Sequence, residues 1–565
     1  MKKIIGIDLG TTYSCVSHVN EFGVPEVIPN ATGERTTPSV VWFDGQRVVV
    51  GEEAKAMSPI QFNAVCSLIK RNMGNDDYFF EADGVRYSPE HVSSLILRKL
   101  IQDASRVLGE TITDVVITCP AYFFIKERDA VKRAGEMAGL NVLQIVNEPT
   151  AAAIAYGVRP GETDDRDSVA MVYDLGGGTF DVTLIHVTPN GIDVICTDGN
   201  HQLGGKDWDD RLVQHFARCF TEQTGMAVDL TGIPELYQEL LQRAEQTKKQ
   251  LTVKQSSTVK FSHEGETVKV DTTRDEFENI TRDLLESTMT LTHAMLEVAG
   301  QKGFHRFDKL ILVGGSSRMP MIENRLREEF SMKPFLFDPD EAVAKGAAII
   351  GNNIRLRRLV EDKLQRQNPS RDLTLDPASP EQIAEAVETA AMETGYTLEI
   401  VQKAMKSYRN VTSKSFGSVA IIGRTDDGVP IEGVINLIYR NTQLPASNTK
   451  RFVTMLDNQP FVRTAIAENM ADQKSGYIGS ELMERPVPLD ESKILWEGRL
   501  QMLPGLPAGS PTDDTYQIDE NGLLTLISED PAGGNRIVQK IETGMTEICD
   551  SSNPVTKRCR DLVVD

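Results

Sequence analysis

The chain has 565 residues, 40% of them apolar and 25% charged, and a net charge of −22. At roughly 100–200 residues per domain this length holds about three to five folded units, and the ordinary composition excludes a fibrous or wholly disordered chain. The acidic balance excludes a nucleic-acid partner, which needs clustered Lys and Arg, and no apolar run is long enough to cross a membrane.

The opening Met1-Lys2-Lys3-Ile4-Ile5 meets Asp8 and two glycines before the apolar core of a secretory signal can form, so no such leader is expected. Strands are predicted over Lys3–Asp8, Val40–Phe43, Asp114–Thr118, Ser168–Tyr173, Val182–Val187 and Lys309–Val313. Helices are predicted over Glu90–Val107, Lys126–Ala138, Asp207–Thr224, Pro234–Leu251 and Asp275–Val298. Alternating strands and helices imply layered α/β domains over residues 1–352. Within them Ile4-Ile5-Gly6-Ile7-Asp8-Leu9-Gly10-Thr11-Thr12 recurs as Ala170-Met171-Val172-Tyr173-Asp174-Leu175-Gly176-Gly177-Gly178-Thr179, which reads as a duplicated lobe.

From Asn353 the composition shifts, and 353–413 reads as a linker carrying an inserted αα-hairpin over about 380–408. Ser379-Pro380-Glu381-Gln382 supplies its N-cap, first-turn proline and capping-box Gln. Residues 414–545 alternate with period two, as in Phe461-Val462-Arg463-Thr464-Ala465-Ile466, and Asn521-Gly522 is a hairpin signal, so an antiparallel β-domain is expected. Residues 546–565 read as a frayed tail.

Seven scattered cysteines, without a Cys-x-x-Cys pair, fit reduced thiols in a cytosol rather than a disulfide framework. Eight dispersed histidines form no zinc pattern. A cytoplasmic location follows as the expectation.

The chemistry lies in the glycine turns. A nucleoside triphosphate needs backbone N–H groups to approach its oxygens, which glycine permits without a Cβ clash, and carboxylates to hold Mg²⁺ through water. The two Asp-Leu-Gly turns offer both, and Val313-Gly314-Gly315-Ser316-Ser317-Arg318 adds a third platform. No GxxxxGK[ST] loop occurs, so this is not a P-loop enzyme. One such turn would be weak evidence; two matched turns plus the third put phosphate binding ahead of a purely structural role.

Gly6-Ile7-Asp8-Leu9-Gly10-Thr11-Thr12-Tyr13-Ser14-Cys15 resembles the opening phosphate motif of the seventy-kilodalton heat-shock chaperones, the DnaK class. Thr118–Phe123, Asn147–Ala153, Asp174–Asp181, Leu312–Pro320 and Asp338–Ala344 resemble later family motifs in the expected order. The resemblance implies an actin-like ATPase of ribonuclease-H-like lobes around a nucleotide cleft, followed by a β-sandwich that binds polypeptide. ATP or ADP with Mg²⁺ is the implied cofactor set, with K⁺ as an optional further ion. Asp8 and Asp174 are then the metal-side carboxylates. Lys70 matches the catalytic lysine, Glu148, Thr179 and Asp181 position the attacking water, and Asp174 counts as catalytic through the metal it orients. Gly10, Thr11, Thr12, Tyr13, Gly176, Gly177, Gly178, Gly204, Gly205 and Gly314 match nucleotide-binding positions, with Thr11, Thr12 and Tyr13 cradling phosphate. Glu245, Lys248, Lys249, Thr252, Gly315, Ser316, Arg318 and Asp338 match the adenine side. For Lys70 alone, or for the i, i+4 pair Glu245 and Lys249, an exposed helix position would be the plainer reading. Pro120 and Arg128 match positions that relay nucleotide state between domains.

The β-domain resembles the family's substrate domain more faintly, with Met455 at the arch over a bound peptide and Val462 at its central pocket. Ser418, Thr464 and Thr512 stand where large aliphatics line that pocket, each change removing roughly 1–3 kcal/mol of apolar driving force. Asp372-Leu373-Thr374-Leu375-Asp376 is a faint echo of the interdomain linker, and Asn410 stands in place of an Asp. Gln144 replaces an arginine that pairs with a J-domain, which weakens dependence on that co-chaperone. Too few residues follow the β-domain for a helical lid. An unfolded or specific client polypeptide and a nucleotide-exchange factor are the implied partners. The function expected is an ATP-driven chaperone; the alternative is a nucleotide-regulated scaffold for one dedicated partner, ahead of a small-metabolite kinase on the same fold.

Overall fold

The repeated Asp-Leu-Gly run opens two sheets of one plan in the computed structural model, which describes residues 3–157, 167–189, 191–367, 378–471, 475–478, 481–484, 486–520, 522–541 and 553–565. In the first lobe Ile5–Asp8 pairs antiparallel with Tyr13–Val19 and parallel with Asp114–Cys119, which is followed by Asn141–Asn147. In the second lobe Ser168–Leu175 pairs antiparallel with Phe180–Thr188 and parallel with Lys309–Val313, which is followed by Phe335–Leu336. Parallel strands covered on both faces read as unbroken apolar runs. Val115, Val116 and Ile117 in one lobe, and Leu310 to Val313 in the other, are accordingly all buried.

Between the lobes lies the helix Ala342–Gln367, whose small residues permit close approach: a Cβ on Gly346 would sit 2.7 Å from Ala151 Cα. This helix corrects the boundary expected at 352, because it runs straight across it. Its second half buries Leu356, Leu359, Val360 and Leu364 against Ala386, Val387, Ala390 and Val401 of the helical hairpin. The hairpin's first helix, Pro380–Thr394, has the expected reciprocal capping box between Ser379 and Gln382, and it stops at Gly395, whose φ of 76° suits glycine. The hairpin is shorter than the expected 380–408. Its second helix is Leu398–Ala404, and Ser407–Arg409 forms a strand parallel to Gly191–Asp193 of the second lobe. The helix expected over Asp275–Val298 is two helices, Arg274–Ile280 and Arg282–Gln301. The buried Thr281 separates them, its hydroxyl donating to Phe277 O at 2.7 Å.

The β-domain has two antiparallel sheets. One contains Ser415–Arg424, Pro430–Ile438, Phe461–Asn469, Val487–Pro488 and Ser492–Gln501; the other contains Ala446–Val453, Pro511–Ile518, Leu524–Glu529 and Arg536–Lys540. Phe416, Leu437, Ile466, Tyr516 and Leu526 pack between them, and Ile125 of the first lobe enters the same core. The domain also meets the second lobe, where Arg440 pairs with Asp198 at 2.7 Å and Lys302 donates to Asn441 O at 2.5 Å. Gly522 supplies the positive φ of the predicted Asn-Gly turn; Asn521, the 372–376 linker echo and residues 546–552 lie outside the described residues.

The frayed tail is also corrected. Pro554–Asp561 is a helix and Val563–Val564 a strand, and both are docked on the first lobe. The pattern there is too short to read as amphipathic, yet Cys559, Leu562 and Val564 are buried in the first lobe's core.

A candidate nucleotide site between the lobes

The glycine turns converge on a cleft of about 720 Å³. On the first-lobe side Ser39 Oγ donates to Gly10 O at 2.7 Å and fixes the turn that carries Thr11, Thr12 and Tyr13. On the second-lobe side the Gly176–Gly178 turn is clamped to the following loop, because Gly205 and Lys206 N–H groups donate to Gly176 and Gly177 O at 2.9 and 2.8 Å. A Cβ on Gly204 would lie 2.6 Å from the Gly178 backbone, so the loop approaches the turn only because residue 204 is glycine. Gly314, with φ of 80°, needs glycine for its conformation, and with Gly315, Ser316 and Arg318 it forms the third wall.

Three carboxyls and one ammonium occupy the floor, with the Asp181 carboxyl just behind them. Lys70 Nζ donates to Glu148 Oε1 at 2.5 Å with both groups buried. Leu68, at φ 58°, turns the chain just ahead of the short helix Ile69–Asn72 that presents this lysine. Burial works to lower the Lys70 pKa, but the Glu148 and Asp8 carboxylates outweigh it and raise it. Asp8 is pushed up to about 7 by burial and by Glu148. Burial and the neighbouring carboxyls hold Asp174 well above the carboxylate range. Asp181, which accepts the Tyr122 N–H at 3.0 Å, is pushed up to about 8 by burial first and Glu148 second.

Such a cluster calls for a cation. A divalent ion between Asp8 and Asp174 fits it. Among the described residues no three His, Cys, Asp or Glu side chains converge to ligate a metal directly, so waters would complete the shell, as Mg²⁺ prefers.

At the mouth, a polar bridge joins the lobes. Lys55 donates to Glu245 at 2.5 Å and to Tyr13 OH at 2.8 Å, and Lys249 donates to Glu245 at 2.7 Å. Burial works to raise the Glu245 carboxyl, but Lys55 and Lys249 outweigh it and hold it at about 2. Lys248 donates to Asp209 and to Gly205 O, each at 2.8 Å, and Thr252 completes this wall.

Of the residues singled out from the sequence, Asp8, Gly10, Thr11, Thr12, Tyr13, Lys70, Glu148, Asp174, Gly176, Gly177, Thr179, Glu245, Lys248, Lys249, Thr252, Gly314, Gly315, Ser316 and Arg318 line the cleft. Gly178, Gly204, Gly205 and Asp181 stand behind its wall as supports. Asp338 is turned away toward Lys345 at 2.6 Å, and Pro339 and Asp340 take the lining position. Sequence reasoning missed Lys55, Lys206 and Asp209 on the wall, and Arg71, which donates to Asp207 at 2.6 Å and to Gly178 O at 3.0 Å. The run Gly204-Gly205-Lys206-Asp207, a glycine pair opening a helix, was the available signal for Lys206 and Asp209.

Arg128 donates to Cys119 Sγ, Asn147 Oδ1 and Ile145 O, beside Gly522 of the β-domain. In the β-domain Met455 is exposed and Val462 half-buried. Ser418, Thr464 and Thr512 are buried between the sheets, where Ser418 and Ser528 each donate to Asp514 at 2.6 Å.

Over residues 4–83 and 77–363 the chain matches the family described as Hsp70 protein. The chaperone protein DnaK of Halobacterium salinarum, in each of two strains, is 34% identical over 553 residues, a span covering 96% of this chain and 75% of the relative. Because the likeness runs through the β-domain as well as the cleft, it describes the whole arrangement and not the glycine turns alone: the chain belongs to the Hsp70 family.

Proposed function

We propose that this protein is an ATP-dependent chaperone in which hydrolysis at the lobe cleft controls the hold of the β-domain on polypeptide. Family membership supports the ATPase activity, and the carrying observation is the Lys70–Glu148 pair on the floor of a cleft walled by three glycine turns. The duplicated sheet plan supports an actin-like ATPase, and the two antiparallel sheets support a substrate sandwich.

In this reading Gly10 to Tyr13 and Gly176 to Gly177 bind the phosphates through backbone N–H groups. Lys70 faces the transferring phosphoryl group and balances its charge, which is where most of the catalysis of phosphoryl transfer lies. Glu148, Thr179 and Asp181 orient the water, and a carboxylate takes its proton. Mg²⁺ held through Asp8 and Asp174 supplies charge neutralisation at the phosphates. Glu245, Lys249 and Tyr13 close the nucleoside end.

The β-domain takes an extended client segment near Met455 and Val462. Its polar interior around Ser418, Thr464, Thr512 and Asp514 supports weaker affinity for aliphatic anchors. Gln144, which stands where the resemblance implies an arginine, supports a weak dependence on J-domain partners. The test is steady-state hydrolysis by the full chain with and without unfolded polypeptide. Free phosphate and a faster rate with polypeptide are expected; phosphate transferred instead to an added metabolite overturns the reading.

A further inference from the structure

The final described residues return to the first lobe and complete one of its sheets. Asn553 Oδ1 accepts from the Val555 and Thr556 N–H groups and starts the helix Pro554–Asp561. Val563–Val564 then pairs in parallel with Arg47–Val48. Asp565 extends that ladder, donating to Val48 O at 2.9 Å and accepting from Val50 N at 2.8 Å, and its carboxylate meets Arg47 at 2.8 Å. Side chains of the helix Pro89–Leu108 and its flank hold the segment. Arg98 donates to the Cys559 and Leu562 carbonyls, His91 Nε2 lies 3.2 Å from Thr556 Oγ1, and Tyr87 OH accepts from Arg558 at 2.9 Å.

The sheet so completed has the order Val563–Val564, Arg47–Val50, Val41–Asp44, Val65–Cys66. One edge is the final segment. The other edge leads within four residues to Lys70. Ile69 and Met73, on either side of that lysine, share a single apolar core with Cys559, Leu562 and Val564. Met73 Sδ also accepts from Ser93 on the helix that carries His91 and Arg98.

We infer that residues 553–565 are an internal ligand of the first lobe, a strap that fills a strand-edge binding site and positions Lys70. This rests on the reading of Lys70 as a group that acts on ATP. The strap is joined to the β-domain by residues 542–552, and the chain from Ile541 to Asn553 can span at most about 40 Å. A larger excursion of the β-domain therefore pulls the strap from its edge, and its loss leaves nucleotide binding intact while the lysine loses its alignment. An edge so uncovered is a ready template for another extended segment, and the chain's own strap is the occupant that keeps it closed.

The test uses the full chain and Cys559, a residue only 3% exposed while the strap is seated. Leu562→Asp unseats the strap through its apolar anchor. Arg98→Gln does so through its backbone contacts and serves if the first variant fails to fold. In either variant alkylation of Cys559, located by peptide mass mapping, rises about tenfold or more, and kcat falls about tenfold while KM stays within twofold, a loss smaller than the 10²-fold that a 1 Å misplacement can cause. A synthetic peptide of residues 553–565 added to Leu562→Asp restores kcat. Free alkylation with unchanged kcat overturns the inference, as does Cys559 remaining protected in both variants, or a loss that the peptide does not rescue. Lys70→Met with full turnover would instead sink the reading of the site and leave the Cys559 result standing.

Discussion

Lys70 and Glu148 form a buried pair, and removing one member leaves the other charged and unpaired in a dry site. Lys70→Met is therefore expected to lower single-turnover hydrolysis by about 10²-fold or more, with nucleotide still bound, as measured by rapid quench and by equilibrium binding. Gly204→Ala pushes a methyl into the Gly178 backbone, so nucleotide affinity measured by calorimetry falls by roughly tenfold or more, given that tight cores resist even one added carbon. Gly423→Ala, whose Cβ meets nothing within 4 Å, leaves affinity unchanged. The paired aspartate turns were legible because their spacing is local: strand, Asp, Gly and Thr lie within nine or ten consecutive residues. Lys55 and Arg71 were not, because their partners Glu245 and Asp207 lie in the opposite lobe, far along the chain. Asp338 was misplaced for the related reason that a motif marks a stretch, while the local turn decides which of its carboxylates faces the cleft.

Between elements, the contact of the β-domain with the first lobe has an unusual charge arrangement. Glu127 on the helix Ile125–Met137 and Glu468 on the strand Phe461–Asn469 are both pushed up to about 7, chiefly by burial. Lys493 and Lys414 act on both carboxyls in the opposite sense, as does Lys126 on Glu468. Neither Glu468 oxygen has a hydrogen-bond partner among the described residues. A carboxyl whose folded pKa is raised adds stability that is full below about 4.5, its unfolded value, and is lost as pH rises to about 7 and beyond. Docking is therefore firmer at pH 6 than at pH 8, and small-angle scattering should report a larger radius of gyration at the higher pH; an unchanged radius contradicts this. Thr464 Oγ1 is likewise buried without a partner among the described residues. Thr464→Val is expected to stabilise the β-domain by about 1–2 kcal/mol in urea unfolding, since it removes an unsatisfied polar atom at constant volume. Period-two alternation revealed these strands in the sequence, but it could not tell which face would be closed by Ile125 of another domain.

Across the whole molecule, the layered plan was readable and its seams were not. The helix Ala342–Gln367 erases the expected boundary at 352, so a chain ended there would lose Ile354, Tyr408 and Val411 from the core they share with Ile4 and Val116 and should aggregate in gel filtration. The seated strap gives His91 an acid-sensitive role. Burial pushes its pKa down to about 4, and its contact with Thr556 is made by a buried ring. A depressed folded pKa adds stability that is present above about 6.5 and lost as pH falls toward 4, so the protection factors of the Val50 and Asp565 amides, with the intrinsic pH dependence of exchange divided out, should fall over that window. Unchanged protection factors at pH 4.5 would contradict it. The strap was invisible in the sequence because its helix is eight residues long and its strand two, and its apolar side chains make sense only against a surface some 500 residues earlier.

The segment leading into the β-domain is stitched to both halves of the molecule. Tyr396 of the hairpin donates to Asn20 O in the first lobe at 3.0 Å, and beyond the second helix Arg409 grips Asp193 in the second at 2.7 Å. When the halves turn together this bridge rides along without load. When they turn unequally it is twisted by the difference, so the β-domain receives the subtraction of two rotations, as a differential gear hands on only what its two shafts do not share.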